Sequence, residues 1–285
     1  MARIIGSPSR YIQGKGTLAE ITKYTERLGK KLLILVSKSG KKRVEEKINK
    51  AVEGTDTTVV WEIFNGECSK SEVNRIVENL KKEKCDIVVG IGGGKILDTA
   101  KAVAYYEDIA VVCVPTAAST DAPCSALSVL YTDDGQFDEY LWLPANPDII
   151  LLDTDIIVAA PVRLIVSGMG DALATYFETR ACMRSNTTSC MGGSVSKTAM
   201  ALSELCFKTL MEDGAKALLA VNAGACTPAV ENIIEANTYL SGIGFESGGI
   251  AAAHAIHNGL TCIEETHGMY HGEKVAFGVL SQLVL

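Results

Sequence analysis

All four histidines of the chain lie between residues 254 and 271, as His254, His257, His267 and His271. His254 and His257 share one face of a predicted helix, because residues three apart are neighbours on a helix surface. His271 stands next to Gly272 at a predicted helix start. Two imidazoles and one carboxylate form the ligand set of a catalytic zinc site with an open coordination position. The cluster predicts a metal site, but spacing alone leaves open which histidines bind.

The sequence Gly168-Met169-Gly170-Asp171 offers a carboxylate that such a site would need. Asp171 directly precedes an apolar-periodic segment, predicted as a helix over Ala172–Arg184. Aspartate is a favoured N-cap residue, so the local sequence alone favours a purely structural role for Asp171. Its interpretation as a metal ligand depends on the histidine cluster.

A glycine-rich segment runs Gly90-Ile91-Gly92-Gly93-Gly94-Lys95-Ile96-Leu97-Asp98, between a predicted strand and a predicted helix. Glycines let a phosphate approach the backbone, and a helix N-terminus offers unpaired N–H groups and a positive dipole end. The segment is neither a GxGxxG motif, which needs glycine in place of Lys95, nor a Walker A motif, which needs Ser or Thr in place of Ile96. It predicts phosphate binding, and a tight structural turn is the alternative interpretation.

A loop of small and hydroxyl residues, PTAASTDA over residues 115–122, follows another predicted strand. Ligands of open α/β sheets bind outside the carboxyl ends of the strands, and small residues suit a backbone-lined cofactor groove. An Asx or Ser/Thr turn is the alternative interpretation.

The first half of the chain alternates between two kinds of segment. Apolar or β-branched runs predict buried strands, and the segments between them have the periodicity of helices. Strands that alternate with helices predict a parallel sheet with right-handed crossover connections. A turn at Asp133-Asp134-Gly135 predicts a hairpin. The predicted strands are Lys31–Ser37, Thr57–Ile63, Asp86–Gly90, Ala110–Val114 and Ile149–Leu152, and the hairpin strands are Ala126–Tyr131 and Gln136–Leu141.

The chain beyond Pro161 shows no strand pattern. We therefore predict a dinucleotide-binding α/β domain over residues 1–160 and an all-α, metal- and substrate-binding domain over residues 161–285. The predicted helices are Ala172–Arg184, a segment around Val195–Leu210, Glu231–Leu240, Ala251–Leu260, and Val275 to the end.

Composition limits the class of protein. A net charge of −7 argues against nucleic-acid binding, which usually requires a basic patch. Nine cysteines without a CxxC pair predict reduced thiols in a cytoplasmic protein. The chain has no apolar run of about 18 residues and no signal-peptide pattern at its start, so we expect no membrane association.

Five segments together resemble the glycerol dehydrogenases of the iron-containing alcohol dehydrogenase superfamily. They are GIGGGKILDTAK (90–101), PTAASTDAPCSALSV (115–129), GMGDALATYFE (168–178), GGIAAAHAIHNGLT (248–261) and THGMYHGEKVAFG (266–278). The resemblance covers the whole chain, and five segments in the right order are far more specific than any one.

The resemblance implies an N-terminal dinucleotide-binding domain and a helical C-terminal domain, the dehydroquinate synthase-like fold. It makes Asp171, His254 and His271 zinc ligands and Asp121 a substrate contact, and these four are the implied catalytic residues. The glycine-rich turn, the small-residue loop and the hairpin then supply the cofactor-binding positions. These are Gly92, Gly93, Gly94, Lys95, Ile96, Leu97, Asp98, Thr116, Ala117, Ala118, Ser119, Ser125, Leu127 and Tyr131.

The implied activity is zinc-dependent oxidation of glycerol or a similar small polyol to the hydroxyketone with NAD, in a homo-oligomer. Iron-dependent relatives carry a further histidine four residues after the aspartate; Thr175 stands there, which favours zinc. The family's acidic cofactor-binding residue after the first strand is replaced by Ser37, which leaves NAD and NADP both open.

Relatives continue for several helices past Leu285, so we expect a truncated helical domain. A non-catalytic truncated paralogue that acts as a binding or assembly partner is one alternative. A superfamily member acting on an anionic substrate is another. Few basic residues in segments 115–130 and 245–275 disfavour an anionic substrate.

Overall fold

A computed structural model describes all 285 residues of the chain. Its contacts group into two compact units. The sheet unit comprises Pro8–Thr116 and Ala126–Ile157, and the helical unit comprises Met1–Ser7, Ala117–Ser125 and Val158–Leu285. The boundary between independent domains near residue 160 stays a prediction.

The sheet unit is built on six parallel strands in the order β1-β8-β5-β4-β2-β3, with a separate antiparallel hairpin of β6 and β7. This confirms the predicted fold class of a parallel α/β sheet followed by helices. The strands are β1 (Arg10–Gly14), β2 (Lys31–Val36), β3 (Thr58–Ile63), β4 (Ile87–Gly92), β5 (Ala110–Pro115), β6 (Leu127–Tyr131), β7 (Phe137–Trp142) and β8 (Ile149–Asp153).

Helices cover the parallel strands, which is why β2 and β4 are almost wholly buried. Val44 and Ile48 of α2 join the same apolar core as these strands. Ser69 caps α3 by accepting a hydrogen bond from the backbone N–H of Glu72. The helices here are α1 (Ile21–Thr25), α2 (Lys38–Val52), α3 (Lys70–Glu83), α4 (Gly94–Glu107) and α5 (Thr154–Val158).

Two details of the sheet differ from the predictions. Strand β1 was not predicted, because its sequence RYIQG has no apolar run and its partly exposed edge position does not require one. Strand β4 extends two residues further than predicted, to Gly92, because Gly90 and Gly92 pair with β5 like ordinary strand residues.

The helical unit contains six α-helices and no strand of its own. A short π-helical turn, Ala236–Leu240, joins the third and fourth of them without a break. The helices are α6 (Val162–Ser185), α7 (Lys197–Asn222), α8 (Pro228–Glu235), α9 (Ser241–Gly248), α10 (Ala252–Leu260) and α11 (His271–Val284).

Helix α6 corrects one prediction. It begins at Val162, ten residues before the predicted start at Ala172, so Asp171 lies inside the helix and the N-cap interpretation is wrong. Gly168 and Gly170 suggested a loop because glycine is a poor helix former. Here they permit close packing: a Cβ at Gly168 would lie 2.0 Å from the carbonyl oxygen of Ala118.

None of the helices combines the length and the apolar composition that crossing a bilayer would require.

Candidate active site

Three helices of the helical unit bring Asp171, His254 and His271 together. Asp171 lies within α6, His254 in the first turn of α10, and His271 is the first residue of α11. The Nε2 atoms of His271 and His254 lie 3.1 and 3.6 Å from Oδ1 of Asp171. One potential ligand atom from each residue falls within 4.8 Å of the others. The predicted metal-ligand set is therefore assembled in one place.

Asp171 is fully buried, and its Oδ1 accepts no hydrogen bond of normal geometry. Burial alone would raise the pKa of this carboxyl, but the charge of His271 and the proximity of His254 outweigh it and lower the pKa. A buried anionic oxygen faced by two imidazole nitrogens is the arrangement expected of a cation site.

Glycines allow α11 to begin directly against α6. A Cβ at Gly272 would lie 1.8 Å from the carbonyl oxygen of Ser167, and one at Gly170 would lie 2.5 Å from the carbonyl oxygen of Gly272. The backbone N–H of Gly272 also donates to Oγ of Ser167, at 3.2 Å. This close contact places His271 beside Asp171.

Glu178 is a site residue that the sequence analysis did not single out. Its fully buried carboxylate lies two helical turns after Asp171 on α6, and Oε2 is 2.6 Å from Nδ1 of His254. Burial would lower the pKa of His254, but the proximity of Asp171 and the contact with Glu178 raise it well above its ordinary value. The available signal was the spacing of seven residues, which puts Asp171 and Glu178 on one helix face.

Asp121 adjoins this cluster. Its backbone N–H donates to Oδ2 of Asp171 at 3.3 Å, and its own Oδ2 accepts from Oγ of Ser241 at 2.8 Å. Burial, followed by the negative charge of Asp171, raises the pKa of Asp121 well above its ordinary range. The hydroxyl of Thr175, four residues after Asp171 on α6, is 2.8 Å from the same serine hydroxyl.

The two remaining histidines differ in position. The ring of His257 packs edge-on against that of His271, with centroids 4.2 Å apart. Burial and the charge of His271 lower the pKa of His257 to about 4. His267 is exposed, and its Nε2 pairs with the carbonyl oxygen of Thr261 at 3.1 Å, so it does not join the cluster.

The glycine-rich turn of the sheet unit joins β4 to α4. Gly93 is the N-cap of α4, and added Cβ atoms at Gly93 and Gly94 would meet nothing within 4 Å. The first turn of α4 therefore has open space beside its N–H groups, as a phosphate site requires. Lys95 is exposed at this turn; it pairs with Glu67, and its Nζ lies 5.4 Å from the ring centre of Tyr131.

Ile96, Leu97 and Asp98 are buried in α4 beneath that turn. The carboxylate of Asp98 pairs with the fully buried Lys101 at 2.9 Å and accepts from the backbone N–H of Val129 at 3.2 Å. The structure thus gives Asp98 a role in attaching the hairpin to α4.

Other predicted cofactor positions of the sheet unit adjoin the turn. The N–H of Thr116 donates to the carbonyl oxygen of Gly92 at 3.1 Å. Ser37 follows β2, whose last residue pairs in register with Ile91 of β4, and its hydroxyl caps α2. Leu127 is half-buried in the hairpin, and its carbonyl oxygen accepts from Lys101.

The remaining predicted positions, Ala117, Ala118, Ser119 and Ser125, belong to the helical unit. The carbonyl oxygen of Ala118 accepts from Nδ2 of Asn237 at 2.9 Å, and Oγ of Ser125 bonds the carbonyl oxygen of Ala122 at 3.2 Å. Ala117 and Ser119 are half-buried.

Comparison with known proteins agrees with this geometry. The family model for iron-containing alcohol dehydrogenase matches residues 8–154. A glycerol dehydrogenase of Escherichia coli O6:H1 is 52% identical over 285 residues, which are 100% of this chain and 78% of the relative. The chain belongs to the iron-containing alcohol dehydrogenase family. A glycerol dehydrogenase of Thermotoga maritima is also 52% identical, over 98% of this chain and 76% of its own length.

Among solved structures of this family, glycerol dehydrogenase from Schizosaccharomyces pombe superposes with a TM-score of 0.94 at 42% identity. The match covers 99% of this chain and 72% of that one. The resemblance to the glycerol dehydrogenases inferred from five sequence segments is thereby confirmed over the full chain.

Proposed function

We propose that this chain catalyses the reversible oxidation of glycerol, or of a similar small polyol, by NAD to give the hydroxyketone, NADH and a proton. The observation that carries the proposal is the convergence of Asp171, His254 and His271, with ligand atoms within 4.8 Å. It occurs in a chain 52% identical along its whole length to a glycerol dehydrogenase.

The three converging side chains fit a divalent metal ion, and we assign it as zinc. Asp171 supplies a buried oxygen without a hydrogen bond, and two imidazole nitrogens approach that oxygen. One carboxylate and two histidines match the donor set of catalytic zinc sites. Because the hydroxyl of Thr175 is engaged with Ser241, α6 offers no fourth ligand at that position. A zinc ion held there would act as a Lewis acid that polarises a substrate hydroxyl.

The glycine-rich turn is proposed to bind the pyrophosphate of NAD. Open space at Gly93 and Gly94, and the N-terminus of the fourteen-residue helix α4, support this assignment. Lys95 adds a cation at the same turn. The nicotinamide supplies the redox chemistry when bound, as the acceptor of hydride from the substrate carbon.

Asp121 is proposed to orient the substrate. Oγ of Ser241 donates to Oδ2 of Asp121, and the backbone of Asp121 is hydrogen-bonded to Asp171. This fixes the carboxyl beside the proposed metal ligands. We assign Oδ1 as the acceptor for a polyol hydroxyl, since a site that hydrogen-bonds hydroxyl groups favours polyols over simple alcohols.

Asp171→Asn tests the proposal. The change keeps the side-chain volume but removes the anionic oxygen, so stoichiometric zinc binding should be lost. Glycerol-dependent NAD reduction should fall by at least about a hundredfold, since Lewis-acid stabilisation contributes several kcal/mol. Metal analysis and absorbance of NADH measure the two effects. The control is Asp213→Asn, a largely buried aspartate of α7 that pairs with Lys216. Glycerol oxidation that survives both Asp171→Asn and a chelator would overturn the proposal.

A further inference from the structure

A buried carboxylate links two of the three helices of the site, α6 and α10, without being one of the proposed ligands. Glu178 lies on α6, seven residues after Asp171, and is fully buried. Its Oε2 contacts Nδ1 of His254 at 2.6 Å. Its Oε1 accepts hydrogen bonds from the backbone N–H groups of Ala251, at 2.8 Å, and of His254, at 3.0 Å.

The contact with Oε2 fixes which ring nitrogen of His254 carries a proton. An ionised carboxylate can only accept hydrogen bonds, so Nδ1 must be the donor. Nε2, the atom that faces Asp171 at 3.6 Å, is then the nitrogen that gives up its proton when a metal ion binds, and its lone pair becomes free to coordinate the metal. Glu178 therefore presents Nε2 as a ligand atom.

The contacts with Oε1 fix the helix that carries the histidine. Helix α10 has no side-chain cap of its own, and Ala251 is its N-cap residue. Glu178 satisfies two of the N–H groups that a helix N-terminus leaves unpaired. Because Asp171 and Glu178 belong to one helix, the same rigid element sets one ligand and the orientation of another.

We infer that Glu178 is the positioning residue of the metal site, holding His254 in the Nδ1-protonated tautomer and anchoring the start of α10. This inference rests on the proposed metal-dependent function. A carboxylate behind a metal-binding histidine also raises the basicity of the ligand, and loss of such a partner typically weakens metal binding by about 10- to 100-fold.

Glu178→Gln tests it with an almost unchanged shape. The amide oxygen can still accept from the backbone of α10, but an amide NH₂ in the place of Oε2 would oppose the proton on Nδ1. Either that hydrogen bond is lost, or the proton moves to Nε2 and blocks the ligand atom. We expect the zinc dissociation constant, measured by competition with a chromogenic chelator, to rise about 10- to 100-fold.

Two further variants serve as the control and as the reference for the zinc affinity of Glu178→Gln. Glu246→Gln removes the charge of another fully buried glutamate of the helical unit, on α9, and should leave zinc affinity unchanged. An equal loss in Glu246→Gln would make the effect of Glu178→Gln a general consequence of losing buried charge, and would overturn the inference. Asp171→Asn, which removes a ligand, sets the level of full loss.

The zinc affinities of these variants distinguish a failure of the inference about Glu178 from a failure of the proposed metal-dependent function. If Asp171→Asn loses zinc but Glu178→Gln binds it as tightly as the unchanged protein, only the inference fails. If the unchanged protein and Asp171→Asn bind zinc equally, the metal site fails and the inference with it. Nitrogen-15 NMR of the unchanged zinc-loaded protein provides a second test that needs no folded variant. It should find a protonated Nδ1 on His254, and metal bound through Nδ1 would overturn the inference.

Discussion

The close contact between α11 and α6 can be broken by a single methyl group. In Gly272→Ala the new Cβ would lie 1.8 Å from the carbonyl oxygen of Ser167 and 2.9 Å from the backbone nitrogen of Asp171. Both neighbours are backbone atoms of a long helix, so they cannot rotate away. To bring the shorter contact to 3.0 Å, the first turn of α11 must move by at least 1.2 Å.

That displacement is large for a metal site. Ligand distances in such sites hold to about 0.2 Å, and His271 is the residue immediately before Gly272. We expect the zinc dissociation constant to rise at least about tenfold, because His271 can no longer reach its place. Overpacking should also lower the free energy of unfolding by about 1–3 kcal/mol. Chelator competition and urea titration measure the two quantities.

Gly259→Ala is the matched control. Gly259 lies in α10, the helix of His254, and an added Cβ there meets nothing within 4 Å. Alanine should stabilise that helix slightly, by at most about 1 kcal/mol, with no effect on zinc. If Gly272→Ala binds zinc and unfolds like the unchanged protein, the reasoning from close contact is refuted.

Three further predictions concern the sheet unit. Lys101→Met leaves the buried carboxylate of Asp98 without its cation, and urea titration should show a loss of about 3–5 kcal/mol. Ser37→Asp puts an acid at the carboxyl end of β2 and should raise the kcat/KM ratio of NAD over NADP about tenfold, in steady-state assays. Burial would raise the pKa of Glu72, but hydrogen bonds from Arg75 outweigh it and lower the pKa below 4.5. Its stabilising contribution is therefore present above pH 4.5 and lost below, so Glu72→Gln should flatten the fall of Tm on acidification.

Each of these has a control on the same element or beside it. Lys81→Met removes the exposed lysine of an ion pair with the half-buried Glu107 and should cost less than about 1 kcal/mol. A loss equal to that of Lys101→Met would contradict the burial argument. Ser39→Asp should leave cofactor preference unchanged, and an equal shift would point to general charge. Glu78→Gln changes an exposed residue of α3 and should keep the acid dependence that Glu72→Gln removes.

Most of the fold could be predicted because burial imposes regular patterns. The β2 run KLLILV and the β4 run IVVGIG are apolar throughout because helices cover the sheet. Strand β1 was missed because RYIQG lies at the edge of the sheet, where polar side chains are tolerated. The extension of β4 to Gly92 was missed because the glycines that end it resemble a turn.

The start of α6 could not be predicted for a related reason. Gly168 and Gly170 lower helix propensity, and only the tertiary structure explains their presence, since each faces the backbone of another segment at a distance that excludes a Cβ. Packing therefore outweighs propensity at these positions. The error about the start of α6 also produced the alternative interpretation of Asp171 as an N-cap.

Which carboxylates belong to the proposed metal site depends on the same helix. With α6 extended to Val162, Asp171, Thr175 and Glu178 fall on one buried face, at spacings of four and three residues. A helix beginning after Asp171 would have left that face incomplete and hidden the relation of Glu178 to Asp171. What sequence cannot supply is the register of α10 against α6, which decides that Glu178 meets Nδ1 of His254. Ligand types can thus be predicted from composition and clustering, whereas the group that fixes a ligand's tautomer depends on packing between helices far apart in the chain.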